Sequence, residues 1–454
     1  MLPYINSDNI IIALSTPPGS GALGVIRLSG NNSISLVNTF FSGKDLTKVK
    51  AYTIHYGNII AENEEILDEV LVSIFHNPKS FTGEDMVEIS CHGSFYIINE
   101  IIRLFLRNGA EMANPGEFSM RAFMNGKMDL SQAEAVSDLI ASKTKLAHDI
   151  ALKQLKGGFS SEIKLLREKL IDFSSLLELE LDFSEEDVEF ADRAKFLELI
   201  AEIRRVIDML ISSYKLGNVL KNGVPTVIIG RPNAGKSTLL NSLLNEERAI
   251  VSEIEGTTRD TIEEELNING VIFMLIDTAG IRESEDMIEV LGIEKTMSKI
   301  RMASLIIYIY DAVVMTVEDV EKDLEALEIK NETLLIVANK CDLIDKGEVP
   351  KNHIGISAKN AHDIDKLRDE IFNSVIHLNI DTSGLIITNE RHYDLLQKAN
   401  NSLDSVVNGL ENNIPGDLIA IDIRLANHTL GEITGSISTD DLLGNIFSKF
   451  CIGK

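Results

Sequence analysis

The run Pro225-Thr226-Val227-Ile228-Ile229 leads into Gly230-Arg231-Pro232-Asn233-Ala234-Gly235-Lys236-Ser237, and this stretch decides the fold. A β-branched apolar segment ends in G-x-x-x-x-G-K-S and passes straight into the helix-period segment STLLNSLL (237–244). That strand–loop–helix context is what a phosphate-binding P-loop requires. Its glycines let backbone N–H groups wrap phosphate oxygens, and the helix N-terminus adds its dipole. Asn233, Ala234, Gly235, Lys236, Ser237 and Thr238 are therefore placed around a nucleotide's phosphates. Lys236 would neutralise the β/γ oxygens, and Ser237 would ligate Mg²⁺.

Outward from the loop, VIFMLID (271–277), SLIIYIYD (304–311) and TLLIVANK (333–340) are short buried-strand runs separated by helix-period sequence. That alternation predicts a parallel sheet with crossover helices over 221–378. The other nucleotide motifs fall at strand ends and loops of this sheet. Gly256-Thr257-Thr258-Arg259-Asp260 offers Thr258 as a second Mg²⁺ hydroxyl. Asp277-Thr278-Ala279-Gly280 gives an acid that can hold Mg²⁺ through water and a glycine N–H that can sense a γ-phosphate. Asn339-Lys340-Cys341-Asp342 offers a carboxylate to the N1–H and exocyclic amine of guanine, which adenine does not present, and Ser357-Ala358-Lys359 supports the base. Each motif is weak alone. Together and in order they predict a site for GTP and GDP.

One position departs from the pattern. Ras-like enzymes place a glutamine after the DTAG-type glycine to orient the attacking water, and here that position is Ile281. The following segment holds Glu283, Glu285, Asp286, Glu289 and Glu294. A solvated acidic helix start is the plainer reading of most of these, and sequence chemistry does not choose among them.

The flanks are different. Residues 1–120 alternate short β-branched runs with turns (NIIIALST, GVIRLSG, AYTIHYGNII, DEVLVSIF, DMVEIS) and add one helix, FYIINEIIRLFLRNG, forming a small α+β domain. Residues 121–220 carry apolar residues at i, i+3, i+4 and i+7 in SQAEAVSDLIASKTKLAHDIALKQL and SSEIKLLREKLIDFSSLLELELDF, so long amphipathic helices are expected, with Ser131 and Glu134 as a capping box. Residues 379–454 return to helix period. The simplest architecture is multidomain α+β and α/β, with a Ras-like P-loop G domain (221–378) inserted into an all-α helical domain (121–220 and 379–454) behind an N-terminal α+β domain (1–120).

Composition bounds the function. The 454 residues are about three domains' worth, and 44% apolar content supports real cores. Three cysteines, Cys91, Cys341 and Cys451, are too few and too far apart for a disulfide framework and fit a reducing compartment. No signal peptide or membrane-length apolar run is read, so a cytoplasmic location is expected. Net charge is −27, of which −12 falls in 221–378. Phosphate contacts dominate nucleic-acid affinity, so this chain is not expected to supply most of a phosphate-binding surface.

GRPNAGKS, GTTRD and DTAGIRE in an internal G domain resemble the MnmE (TrmE) family of tRNA-modification GTPases. So do PPGSGALGVIRLSG, FTGEDMVEISCHG, NPGEFSMRAFMNGKMDLSQAEAVSDLI and the terminal DDLLGNIFSKFCIGK, and the resemblance runs from end to end. It implies an N-terminal tetrahydrofolate-binding and dimerisation domain, a homodimer, and a heterotetramer or larger complex with the FAD-dependent partner MnmG. The implied chemistry adds a carboxymethylaminomethyl or aminomethyl group to C5 of the wobble uridine of certain tRNAs. The one-carbon unit would come from 5-formyl- or methylene-tetrahydrofolate, and tRNA would be bound mainly through the complex. The resemblance also implies activation by K⁺, with Asn233 as ligand and the loop Ser252, Glu253, Ile254, Glu255, Gly256 and Thr257 wrapping the ion. Asn233, Ser252, Ile254 and Thr257 are the K⁺ set, and Ser237 and Thr258 the Mg²⁺ set. Glu289 falls at the family's water-orienting glutamate, and Arg259 and Arg282 at switch-region arginines, with Arg282 placed in the catalytic set. Arg27, Glu88, Lys127 and Lys454 match folate-binding positions, and Cys451 a cysteine near the folate that is tied to modification. A regulatory or ribosome-assembly GTPase switch acting as a binding module is the alternative; it should carry a GXXG loop or basic face, and 379–454 shows none. A membrane-remodelling GTPase would need a basic amphipathic helix or anchor, which the acidic flanks argue against.

Overall fold

The structure is a computed structural model that describes residues 9–182, 193–245, 264–276, 300–327, 329, 333–344, 349–375, 385–412 and 414–453. It divides into two compact units. One comprises residues 1–141, 151–205 and 395–454; the other comprises 142–150 and 206–394.

The first unit opens with β1 (Ile10–Leu14), β2 (Leu23–Ser29), α1 (Ser33–Thr39), β3 (Phe41–Ser42), β4 (Thr53–Ile60), β5 (Ile66–Phe75), β6 (Met86–His92), α2 (Phe95–Arg107) and β7 (Ala110–Met112). The strands form one sheet in the order β3-β4-β5-β6-β2-β1-β7. Its pairs are antiparallel except β1 with β7. Period-2 alternation in DEVLVSIF puts Val70, Val72 and Ile74 on one buried face, where they join Ile26, Leu28, Val87 and Ile89 beneath Ile101 and Phe105 of α2. The opposite face is covered near β1, where Ile11 and Ala13 meet Phe118. Over β4 and β5 it is open, with Ile54, Tyr56 and Leu71 exposed.

The helices of this unit are α3 (Glu117–Met124), α4 (Leu130–Ala141), the end of α5 (Lys145–Leu155), α6 (Gly158–Asp182) and the start of α7 (Arg193–Asn222). Three more follow the second unit: α11 (Glu390–Glu411), α12 (Gly416–Thr434) and α13 (Asp440–Phe447). Two expectations change here. SQAEAVSDLIASKTKLAHDIALKQL breaks at Ser142–Thr144 into α4 and α5. The capping box lies two residues before Ser131/Glu134: Asp129 Oδ1 accepts from Gln132 N–H at 2.9 Å, and Gln132 Oε1 accepts from Asp129 N–H at 2.9 Å. Asp129 out-competes Ser131, whose hydroxyl donates to Asp129 Oδ1 at 2.6 Å.

The second unit contains β8 (Val224–Ile229), α8 (Lys236–Asn245), β9 (Glu264–Ile268), β10 (Val271–Leu275), β11 (Leu305–Asp311), α9 (Val317–Ala326), β12 (Thr333–Asn339), β13 (Ile354–Gly355) and α10 (Ala361–Val375). Strand order is β13-β12-β11-β8-β10-β9. The four strands expected from sequence run parallel to one another, as predicted. An antiparallel edge strand, β9, pairs with β10 and was not anticipated, because EELNI reads as polar. One sheet face buries Ile228, Phe273, Leu305 and Ile307, and the other buries Val227, Ile306 and Tyr308. Burial on both faces explains why β11 reads LIIYIYD as a continuous apolar run.

Candidate functional site

The P-loop leaves the end of β8 between β11 and the start of α8, where open α/β sheets bind ligands. Two close approaches explain its glycines. A Cβ on Gly230 would lie 2.0 Å from the Ile309 carbonyl oxygen, and one on Gly235 would lie 2.1 Å from Asn339 Nδ2. Gly235 also has φ +99°, a region that favours glycine. Asn233 takes φ 62°, which asparagine tolerates better than most residues, and its side chain is exposed.

Lys236 begins α8 and turns back over the loop. Its Nζ donates to the Gly230 carbonyl at 2.8 Å and the Arg231 carbonyl at 2.9 Å. Burial pulls its pKa below the ordinary lysine value. A desolvated ammonium held, among the described residues, by neutral carbonyls is ready to exchange them for phosphate oxygens. Ser237 and Thr238 are exposed on the same first turn.

Asn339, nearly fully buried, joins the phosphate loop to the base loops. Its Nδ2 donates to the Ala234 carbonyl at 2.8 Å, while its Oδ1 accepts from Lys340 N–H at 2.8 Å and Ala358 N–H at 3.0 Å. Ser242 of α8 adds a bond to the Ala358 carbonyl at 2.7 Å, and Asp363 accepts from Ser357 N–H at 2.9 Å. Asp342 and Lys359 stand exposed on the two loops that Asn339 clamps. Lys340, at φ 64°, pairs its Nζ with Asp311 Oδ2 at 2.5 Å. Asp311 was missed from sequence; its signal is the acid that ends SLIIYIYD. Cys341 is half-buried behind these residues, its thiol pKa raised by burial. Residues Ser252 to Thr258, Arg259, Asp277 to Gly280, Arg282 and Glu289 lie outside the described residues.

A second polar cluster lies in the first unit. Register pairs Arg27 of β2 with Glu88 of β6. Arg27 Nε and Nη2 donate to Glu88 Oε1 at 3.0 and 2.7 Å, and both bonds fall on that one oxygen. The guanidinium lies 5.5 Å from the Phe81 ring centroid and 5.7 Å from that of Phe118. Its Nη1 donates to the Gly453 carbonyl at 3.2 Å, which Ser15 Oγ also reaches at 3.3 Å. Gly116 N–H donates to the Cys451 carbonyl at 3.3 Å. The chain's last residues are thus seated on the Arg27 side of the sheet, and a Cβ on Gly453 would lie 2.4 Å from the Leu14 carbonyl oxygen. Cys451 is exposed. Lys127 is placed differently: its Nζ donates to the Pro78 carbonyl at 3.0 Å, and its stem packs at Gly83, in the loop that carries Phe81. Lys454 lies outside the described residues. The two rings and the tail carbonyl were not anticipated, because nothing local to Phe81, Phe118 or Gly453 marks them as neighbours of Arg27.

Behind this cluster, Arg121 is buried between Glu117, with Nη2 to Oε1 at 2.9 Å, and Glu84, with Nη1 to Oε2 at 3.2 Å. Removing one partner would leave an uncompensated buried charge, so this trio is read as a structural anchor for α3.

A family model described as "MnmE helical domain" matches residues 130–451, and one described as "GTP-binding protein TrmE N-terminus" matches residues 10–127. The "tRNA modification GTPase MnmE" of Cytophaga hutchinsonii is 54% identical, covering 99% of this chain and 98% of that one. The protein of the same name from Flavobacterium johnsoniae is 52% identical over 99% and 100%, and that from Bacteroides thetaiotaomicron 46% over 99% and 100%. Among solved structures, the FeoB G domain of Methanococcus jannaschii aligns at 25% identity over 33% of this chain and 96% of that chain, with a TM-score of 0.25, too low to bear on the assignment. On the family matches and the near-full-length relatives, the chain belongs to the MnmE (TrmE) family of tRNA modification GTPases.

Proposed function

We propose that this GTPase is activated by potassium and couples GTP hydrolysis to a folate-dependent modification of tRNA. With an FAD-dependent partner of the MnmG type, it adds a carboxymethylaminomethyl or aminomethyl group to C5 of the wobble uridine of certain tRNAs. The observation that carries this reading is the pairing of two built sites in one chain: a P-loop clamped by Asn339, and Arg27 with Glu88 between two aromatic rings.

In the nucleotide site, Asn233 to Thr238 hold the phosphates, with Lys236 moving from the loop carbonyls to the β/γ oxygens. Ser237 and Thr258 are the residues for Mg²⁺; Asn233, Ser252, Ile254 and Thr257 are those for K⁺. A cation beside the phosphates supplies charge neutralisation where other GTPases use an arginine. Asp342 reads guanine, with Ser357, Ala358 and Lys359 behind the base. Glu289 orients water through a bridging water molecule, and Arg282 serves the switch region.

In the second site, Glu88 Oε2 has no hydrogen-bond partner among the described residues, so it suits the amino-pyrimidine edge of a pteridine. Arg27, Lys127 and Lys454 suit the ligand's anionic groups, and Cys451 lies within two residues of the Gly453–Arg27 contact. In this reading 1–120 is the folate-binding and dimerisation domain, 121–220 and 379–454 form the helical domain, and 221–378 is the inserted G domain. Exposed Leu23, Ile54, Tyr56 and Leu71 on the open sheet face support a homodimer. No described helix is long and apolar enough to cross a membrane; a cytoplasmic location is part of the proposal.

The test is GTP turnover in KCl against NaCl at equal ionic strength. The potassium reading predicts at least about a hundredfold faster turnover in KCl, the order expected for losing one charge-stabilising contact. Equal rates would remove the potassium site, while leaving guanine binding to be judged separately.

A further inference from the structure

Arg231, the second residue of the P-loop, points away from the cradle toward α9. Its Nε and Nη2 each donate to Asp323 at 2.8 Å, a two-pronged ion pair. Asp323 Oδ2 also accepts from the Tyr308 hydroxyl at 2.5 Å. Tyr308 is 1% exposed on β11, and register pairs it with Ile229, the residue immediately before Gly230. Asp319, one turn earlier on α9, is occupied by the helix cap: its Oδ2 accepts from Thr316 N–H at 3.1 Å and Thr316 Oγ1 at 2.9 Å. The guanidinium's partner is therefore Asp323. On the other side of the same residue, the Arg231 carbonyl is one of two that hold the Lys236 ammonium.

We propose that Asp323 and Tyr308 are positioning residues for the nucleotide: through Arg231 they hold the phosphate-binding loop in its nucleotide-ready shape and so set GDP and GTP affinity. Neither residue touches the phosphates. A loop already shaped for its ligand binds with less ordering cost, so the bolt acts on affinity rather than on the chemical step. An Arg–carboxylate pair suits this task because its planar fork fixes direction as well as distance. The inference rests on Gly230–Ser237 being the phosphate site.

The test measures affinity for a fluorescent GDP analogue, KM and kcat for GTP, and thermal midpoint, all on the full-length chain. Asp323→Asn should raise Kd and KM about tenfold, the equivalent of about 1.4 kcal/mol, a size typical for a hydrogen bond to a charged group. Its kcat should stay within about twofold, because the step after binding is unchanged. Tyr308→Phe removes one hydroxyl without changing shape and should shift Kd in the same direction by a smaller factor. Asp323→Glu should recover most of the affinity. If Asp323→Asn does not fold, Tyr308→Phe carries the test. Unchanged Kd alongside a lowered thermal midpoint would make the network purely structural, and a loss of kcat at unchanged KM would equally overturn the proposal. Lys236→Ala, run in parallel, isolates the premise: wild-type GDP affinity there would reject the phosphate-site assignment itself.

Discussion

Lys236, Asn339 and Asp342 could be singled out from sequence because the chemistry expected of them is tied to a fixed local spacing. Asn339 shows the limit of that legibility. The motif marks it as a base-loop residue, whereas its side chain spans Ala234, Lys340 and Ala358, a set far apart in sequence. Asn339→Ala would leave these groups without partners and is expected to cost about 1–3 kcal/mol of stability along with GDP affinity, read by thermal unfolding and nucleotide titration. The cysteines separate by environment. Burial, with a further push from Asp68, raises Cys91 to about 11, while Cys451 is exposed. Peptide mapping after brief alkylation at pH 8 should find Cys451 labelled first and Cys91 nearly unlabelled, since the thiolate is the reactive form. Early labelling of Cys91 in the folded chain would contradict its placement. Arg231 holds Asp323 below the ordinary carboxylate range. That pairing stabilises the fold above the unfolded-state pKa and is lost as pH falls through the lower folded value. The difference in thermal midpoint between wild type and Asp323→Asn should accordingly shrink in acid.

Among the elements, long periodic runs were read correctly except SQAEAVSDLIASKTKLAHDIALKQL, and short or polar ones were not. β8, β10, β11 and β12 announce themselves through apolar β-branched sequence, whereas β9 and the two-residue strands β3 and β13 form only because a neighbouring strand offers its edge. The break between α4 and α5 is invisible to periodicity because apolar spacing resumes after it. α9 carries a capping box, with Thr316 accepting from Asp319 N–H at 3.3 Å and Asp319 accepting from Thr316 N–H. Thr316→Ala should cost about 1 kcal/mol, measured by denaturant unfolding, without altering nucleotide affinity beyond what loosening of α9 transmits through Asp323. The P-loop turn itself is less tolerant. In Gly235→Ala the new Cβ would fall 2.1 Å from Asn339 Nδ2, so loss of GDP binding is expected. Retained binding would mean that the loop and Asn339 are not locked together.

Across the whole molecule, the charge of −27 is concentrated where the nucleotide site lies, with −12 in residues 221–378. This distribution leaves tRNA as a substrate while predicting weak binding by the chain alone and tight binding once a partner supplies a basic face. Filter binding across a salt series checks this, and tight, salt-sensitive binding by the isolated chain would count against it. The order of domains was legible because the G motifs sit inside a helical frame; the seating of the C-terminal tail on Arg27 was not, since it joins residues from opposite ends of the chain. We propose that one chain couples guanine-nucleotide hydrolysis to folate-dependent tRNA modification. The most direct measurement of this coupling is mass spectrometry of the wobble uridine after incubating tRNA with this protein, the flavin-dependent partner, GTP, K⁺ and methylene-tetrahydrofolate. A C5-modified uridine is expected that disappears when GTP is omitted, in Lys236→Ala, and in Arg27→Ala even though that variant still hydrolyses GTP; modification persisting without GTP, or unaffected by Arg27→Ala, would rule the coupling out.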